Sequence, residues 1–258
     1  MPKNPSPPRL TPRFWLLAGM WLMIAVSSAY AAKTVRSYLL TDARFALRAP
    51  QPGPLRNEGV AISGSQYASQ AAVLHVFASD YGRSIFGVDI KERRRRLLAV
   101  DWVDDASVSR VLPNRLLVSI RERKPVAYVN VPRRAFLLID ADGVLLTPPP
   151  RATFNFPVLD GVWIDQTEAE RKIRVQSALR LLDDLGPAAK DISEINAASP
   201  DDLRVMTEMK GQGVELWLGD QNFGSRYRNF TDHYADIHNG SPRATVLDLR
   251  IDDRITAK

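Results

Sequence analysis

The side chains able to do chemistry in this sequence are few, and their spacing decides most of what they can do. Asp140-Ala141-Asp142-Gly143 opens like a calcium loop, a frame that needs a bidentate Glu at its twelfth position. That position is Arg151, so the four residues read as a hairpin turn between Leu138-Ile139 and Val144-Leu145. His233 and His238 stand five apart, off the i, i+4 spacing that puts two imidazoles on one helix face for zinc. With no third ligand in view they read as surface or half-buried helix residues. His75 lies in an apolar helical stretch and reads as a partly buried packing residue. Gly211-Gln212-Gly213 is too short for a dinucleotide fingerprint and reads as a turn between two strands. The absence of cysteine excludes a thiol nucleophile, a disulfide scaffold, an iron–sulfur cluster and a cysteine zinc site. No Gly-x-Ser-x-Gly elbow occurs. These signals do not converge on one pocket, and the sequence points to no catalytic residue, no cofactor and no metal.

The elements that would carry a function are easier to read. The 258 residues are 45% hydrophobic and 25% charged, enough for one or two folded domains. Of the formal net charge of +6, half is supplied by Lys3, Arg9 and Arg13, so the remainder carries no nucleic-acid-binding charge. No acid precedes Asp42, and 19 uncharged residues, Phe14 to Ala32, separate Arg13 from Lys33. As a helix they span roughly 28 Å, close to the ~30 Å hydrocarbon core of a bilayer. Two readings fit. One is an uncleaved anchor with Trp15, Trp21 and Tyr30 as interfacial aromatics. The other is a cleavable signal peptide ending at Ala29-Tyr30-Ala31. Both put residues 33 to 258 outside the cytoplasm. The run Arg93-Arg94-Arg95-Arg96 would point around most of a helix circumference. It reads as a solvated turn, with a lipid headgroup or an acidic partner as the alternative.

Past a linker containing Ala49-Pro50-Gln51-Pro52-Gly53-Pro54, the pattern runs β-α-α-β-β. Gly59 to Gly64 reads as a strand. Tyr67, Ala71, Leu74 and Ala78 recur at helical spacing up to Tyr81-Gly82. Asp89 and Glu92 form a capping-box-like start to a second helix carrying Ile90, Leu97 and Leu98. Trp102 to Val111 reads as a strand, followed after Leu112-Pro113-Asn114 by the alternating Leu116, Val118 and Ile120. Further on, Thr167-Glu168-Ala169-Glu170 is a capping box opening a helix with Val175, Ala178, Leu179, Leu182 and Leu185 on one face. Strands are expected at Ile192 to Ala197, Leu203 to Met209 and Val214 to Leu218, and a helix through Tyr227, Phe230, Tyr234 and Ile237.

The β-α-α-β-β order resembles that of POTRA domains. The string from Trp102-Val103 through Val108, Arg110, Pro113 and Leu116 to Glu122-Arg123-Lys124-Pro125-Val126-Ala127 is similar to the signature of the FtsQ/DivIB cell-division family, departing from it at Asp101, where that family usually has proline. Phe136 to Leu146, Phe156-Pro157-Val158-Leu159-Asp160-Gly161 and Val246-Leu247-Asp248-Leu249-Arg250 resemble elements of its second, β-rich domain. The resemblance implies an α+β protein. Residues 1–13 would be a cytoplasmic tail, 14–32 a single transmembrane helix and 33–55 a linker. Residues 56–124 would form a POTRA domain, and 125–258 a mixed β-sheet domain with two flanking helices. It also favours the anchor over the cleaved segment.

The function implied is that of a non-enzymatic bitopic scaffold of the inner membrane, concentrated at the division septum. It would link septal-ring components to septal peptidoglycan synthesis, with other divisome components met through the POTRA domain. FtsB- and FtsL-like partners would dock at the C-terminal end of the β domain by strand addition. Asp248 to Thr256 reads as an outer strand whose edge offers backbone groups to a partner, and Arg250, Ile251, Asp252, Arg254 and Ile255 are the residues placed there. A secreted POTRA-containing assembly or transport component is the alternative, should the N-terminal segment be cleaved.

Overall fold

The computed structural model describes residues 12–50, 59–131, 136–150, 152–252 and 254–258. The basic tail at Lys3 and Arg9, most of the proline-rich linker, and Arg151 lie outside them. The chain divides into two compact units, Met1–Arg121 and Glu122–Lys258.

The first unit begins with α1, Pro12–Thr41. Its apolar side chains, Trp15, Leu16, Trp21, Leu22 and Met23 among them, are exposed all round the helix. A helix apolar on every side and exposed from residue 15 to residue 38 is suited to lipid. The helix runs nine residues past Ala32, so the first part of the expected linker is helical. Lys33-Thr34-Val35-Arg36 holds neither Gly nor Pro, and nothing there stops the hydrogen-bond ladder. From Leu39, in the last turn of α1, the chain is tied down. Ser84 Oγ donates to Leu39 O at 2.6 Å, Leu47 N donates to Arg83 O at 2.8 Å, and Ala46 bridges Ser84.

The expected β-α-α-β-β order follows as β1 (Val60–Ser63), α2 (Gln70–His75), α3 (Ile90–Leu97), β2 (Val103–Val111) and β3 (Arg115–Glu122). The sheet order is β1-β3-β2, with β1 parallel to β3. Helix α2 corrects the sequence reading. It is six residues long, capped by Ser69, and gives way to turns by residue 76. A 3.6-residue period over Tyr67–Ala78 therefore does not apply. Ala68, Val73 and Phe77 are the buried residues, whereas Ala71 and Ala78 are exposed and His75 is exposed rather than partly buried.

Arg93 is the second correction. It is only 9% exposed, because its position on α3 faces inward with Leu97, one turn on. Its guanidinium donates to both carboxylate oxygens of buried Asp80, at 2.6 and 2.9 Å, and to Ser79 Oγ at 2.8 Å. Arg94 pairs with Asp105 at 2.6 Å, and Arg95 and Arg96 pair with Glu92. All four arginines thus have partners within the unit. Arg110 donates to the carbonyls of Ile85 and Val88 at 2.6 and 2.7 Å, and Trp102, at φ 72°, buries its ring beside Tyr67. These signature residues are architectural.

The second unit is one mixed sheet of nine strands: β4 (Pro125–Val129), β5 (Leu137–Asp140), β6 (Leu145–Leu146), β7 (Val158–Asp160), β8 (Ile192–Asn196), β9 (Leu203–Met209), β10 (Gln212–Gly219), β11 (Val246–Ile251) and β12 (Arg254–Ala257). Their order is β12-β11-β10-β9-β8-β7-β4-β5-β6. β4 has no counterpart in the sequence reading, because five residues led by Pro125 carry little strand signal. Helix α4 (Glu168–Leu185) starts at the expected capping box, with Thr167 and Glu170 bonding reciprocally. Leu181, absent from the expected apolar face, is fully buried. Helix α5 (Phe223–Gly240) crosses from β10 to β11, a connection that a parallel pair requires. Val175, Leu181, Tyr227, Phe230 and Tyr234 from the helices share one core with alternate strand residues such as Leu159, Ile195, Val205, Leu216 and Leu247. The residues between them, including Glu194, Arg204, Met206, Glu215 and Trp217, lie half-buried on the opposite sheet face.

The Asp140 turn is built as the sequence reading has it, a hairpin between β5 and β6. Asp140 accepts from the backbone of Asp142 and Val144 at 3.0 and 2.8 Å and from Arg123 Nη1 at 2.8 Å. Arg171 Nε, from α4, donates to Gly143 O at 2.7 Å. Every carboxylate oxygen of Asp140 is occupied by a protein donor, and no group of three or more His, Asp or Glu able to hold a metal occurs among the described residues.

Candidate interaction edge at the C-terminus

The C-terminal segment is a hairpin rather than one outer strand. β11 pairs parallel with β10 through Glu215↔Val246, Leu216↔Leu247 and Trp217↔Asp248. The chain then turns at Asp252, and β12 returns antiparallel on β11, with Leu247↔Ala257 and Asp248↔Thr256 opposite one another. At the turn, Asp252 stays exposed but is tied to α5. Its carboxylate accepts from Arg226 Nε at 2.7 Å and Asn222 Nδ2 at 3.3 Å, and its carbonyl accepts from Asn229 at 3.4 Å. Arg226, only 6% exposed, also donates to Leu218 O at 2.6 Å. One edge of the sheet is therefore β12, which among the described residues has a hydrogen-bonded neighbour on one side alone, as β6 has at the other end.

This arrangement divides the five predicted residues. Ile251 (64% exposed) and Arg254 stand free at the surface beside the turn. Ile255 is half-buried and packs against the core. Asp252 holds the turn. Arg250 belongs to a network on the open sheet face: it donates to Asp248 at 2.9 and 2.7 Å and lies over the Trp217 ring at 4.9 Å. Lys258 and Arg204 approach the same ring at 3.6 and 4.1 Å. Hydrogen bonds from Arg250, then from its backbone and from Lys258, hold the Asp248 carboxyl well below the usual carboxylate range. Sequence reasoning missed Trp217, Lys258 and Arg204. The signal was present in the alternation of β10, where Val214, Leu216 and Leu218 are buried and a Trp between them must face the other way.

Further along that face, Glu194 is pushed up to about 7, chiefly by burial and then by its hydrogen bond and proximity to Asp160, with Glu215 adding repulsion. A free edge flanked by exposed Ile251 and Arg254 can take up an extended partner segment through backbone hydrogen bonds.

Comparison with known proteins agrees with this architecture. Residues 55–123 match the FtsQ-type POTRA domain, and residues 127–250 match the C-terminal domain of the cell division protein FtsQ/DivIB. The chain belongs to the FtsQ/DivIB cell-division family. It is 31% identical over 205 residues to the cell division protein FtsQ of Koribacter versatilis, a match covering 77% of this chain and 59% of that protein. With FtsQ of Geobacter sp. it shares 26% over 212 residues, 79% of this chain and 76% of the relative. With FtsQ of Actinobacillus pleuropneumoniae it shares 28% over 157 residues, 60% and 63% of the two chains. The family's C-terminal match ends at Arg250, so Ile251, Asp252, Arg254 and Ile255 lie beyond it. The apolar helix at Trp15–Thr41 fits a single-pass membrane protein of this family.

Proposed function

We propose that the protein is a non-enzymatic, bitopic scaffold of the bacterial divisome. In this reading Lys3, Arg9 and Arg13 keep residues 1–13 on the cytoplasmic side. The helix crosses the inner membrane with residues 14–32 at its core. The POTRA domain (56–124) and the β domain (125–258) stand in the periplasm at the septum, linking septal-ring components to septal peptidoglycan synthesis. FtsB- and FtsL-like small bitopic proteins add a strand at β12, and other divisome components meet the POTRA domain. The observation carrying the partner site is the exposed edge of β12 next to Ile251 and Arg254. Depletion of the protein followed by microscopy tests the role: filaments without completed septa are expected, and normally dividing cells refute it. Mass spectrometry of the native N-terminus tests the anchor, which a mature start at Ala32 would overturn.

A further inference from the structure

Residues 33–55, expected to be a linker, begin as a joint. Neither Gly nor Pro occurs between Gly19 and Pro50, so no residue of unusual backbone freedom or missing donor interrupts α1 or the segment after it. The backbone is hydrogen-bonded across the join. Asp42 N donates to Tyr38 O at 3.0 Å, Phe45 N to Asp42 O and Ala46 N to Ala43 O at 3.1 Å, and Arg44 N to Asp42 Oδ1 at 2.8 Å. Leu47, 1% exposed, then clamps the chain to the POTRA domain. Its N–H donates to Arg83 O at 2.8 Å, and its carbonyl accepts from Gly82 N at 2.9 Å. The domain also reaches back to the helix. The last four carbonyls of a helix lack partners within it, and the Ser84 hydroxyl donates to the one at Leu39 at 2.6 Å. The Phe45 ring makes T-shaped contacts with both Tyr38 of α1 and Phe86 of the domain, at centroid distances of 6.1 and 5.2 Å.

We infer that α1 and the POTRA domain turn together as a rigid lever, so that the rotational setting of the helix in the bilayer dictates which face the domain presents outside it. Three attachments of different kinds carry this. They are the hydrogen-bonded backbone from Tyr38 to Leu47, the Ser84–Leu39 bond and the Phe45 ring between Tyr38 and Phe86. Units joined by an ordinary linker move relative to one another. Here the connection is itself helical at its start, and the domain grips the end of the helix. Each residue of an α-helix adds about 100° of turn and ~1.5 Å of rise. A membrane partner that turned α1 would therefore turn the domain by the same angle, with no contact of its own to the domain. The lever's action rests on the membrane reading above. The joint does not, and neither depends on the division role.

The absence of native cysteine permits nitroxide pairs on the full chain in nanodiscs, read by pulsed dipolar spectroscopy. Met23→Cys with Ser107→Cys spans the joint, and Ala71→Cys with Ser107→Cys lies within the domain; all three positions are exposed. The spanning pair should give a distance distribution as narrow as the pair within the domain. Gly-Gly-Ser inserted between Ala32 and Lys33 should broaden it. Phe45→Ala combined with Ser84→Ala should broaden it too, while the pair within the domain stays narrow; Ser84→Ala alone serves if the double variant unfolds the domain. One, two or three alanines inserted after Ala32 should keep the spanning distribution narrow and shift its mean in steps, each set by about 100° of turn and ~1.5 Å of rise. A wild-type spanning pair as broad as the Gly-Gly-Ser insertion overturns the inference, and so does a mean that alanine insertion leaves in place. A narrow distribution in the Phe45→Ala, Ser84→Ala variant overturns the part given to those contacts. The Met23 nitroxide alone tests the membrane reading by power saturation. Relaxation by oxygen in preference to an aqueous nickel complex supports it; the reverse refutes it, while the distances still judge the joint.

Discussion

Replacing Ala257 by proline separates strand addition from side-chain docking at the C-terminal edge. In an antiparallel pair, residues alternate between those whose N–H and C=O face the neighbouring strand and those that face away. Lys258 N donates to Val246 O at 3.1 Å, and Thr256 lies opposite Asp248, so these two residues turn their backbones toward β11. Ile255 and Ala257 turn theirs to the open side. The Ile255 side chain packs on the core, whereas Ala257 is exposed and its replacement opens no cavity. Proline at 257 removes an outward donor while the β11 bonds stay, the situation in which edge strands accept proline. Stability should change by no more than about 0.5 kcal/mol.

An incoming strand would lose one main-chain hydrogen bond, ~1 kcal/mol net, and leave its own carbonyl unpaired at a further ~1–3 kcal/mol. Together these weaken Kd roughly 30- to 700-fold. The assay is calorimetric titration of the full chain in nanodiscs with an FtsB/FtsL-like pair. Ala257→Ser serves as the control that keeps the N–H, and circular dichroism monitors the fold. Wild-type affinity for Ala257→Pro would refute strand addition at β12. If Ile251→Asp and Arg254→Glu nevertheless abolished binding, the site would work through side chains alone.

The buried pair in the POTRA domain should behave as a unit. Asp80→Ala strands the Arg93 guanidinium in a site where it is 9% exposed and should lower stability by about 3–5 kcal/mol, seen as a fall in the thermal midpoint. Asp80→Leu with Arg93→Met should recover most of it, and an unchanged midpoint in the single variant would show the pair to be dispensable. Glu194 should give a pH signature. Its folded value, about 7, lies above the ordinary 4.5, so its contribution to stability is present below pH 4.5 and is lost as pH rises through 7. Glu194→Gln should be flatter across that window and more stable than wild type at pH 8, as measured by midpoint against pH. Gly143→Ala should lose about 2–5 kcal/mol, because φ is +84° and the new Cβ would lie 2.6 Å from Lys172 N. A midpoint within a degree of wild type would mean the turn can open.

Elements whose signals are local are legible in the sequence. The uncharged run from Phe14, the Thr167–Glu170 capping box, the Asp89 cap and the alternation in β3, β9 and β10 each depend on residues within a turn or two of one another. Short pieces with strong end effects are not. The six residues of α2 are too few for a helical period to select a face, which is why Tyr67, Ala71, Leu74 and Ala78 misstated the buried side. β4 was hidden because five residues led by proline carry little strand signal.

Composition and pattern by themselves marked an apolar N-terminal helix and a succession of helix and strand segments after it, and they offered no constellation for catalysis. Tertiary structure decided what individual charges do. The Arg93–Arg96 run reads as solvent-facing until Asp80, 13 positions away, closes on Arg93. Asp252 reads as one acid of an extended strand, and the fold places it in a turn beside Arg226, 26 positions earlier. The hairpin at that turn makes two strands of the one expected and puts β12 outside β11. A carboxylate's role depends on which cation the fold brings within about 3 Å, because Coulomb attraction and hydrogen bonding act over distance in space. Separation along the chain says little about that distance.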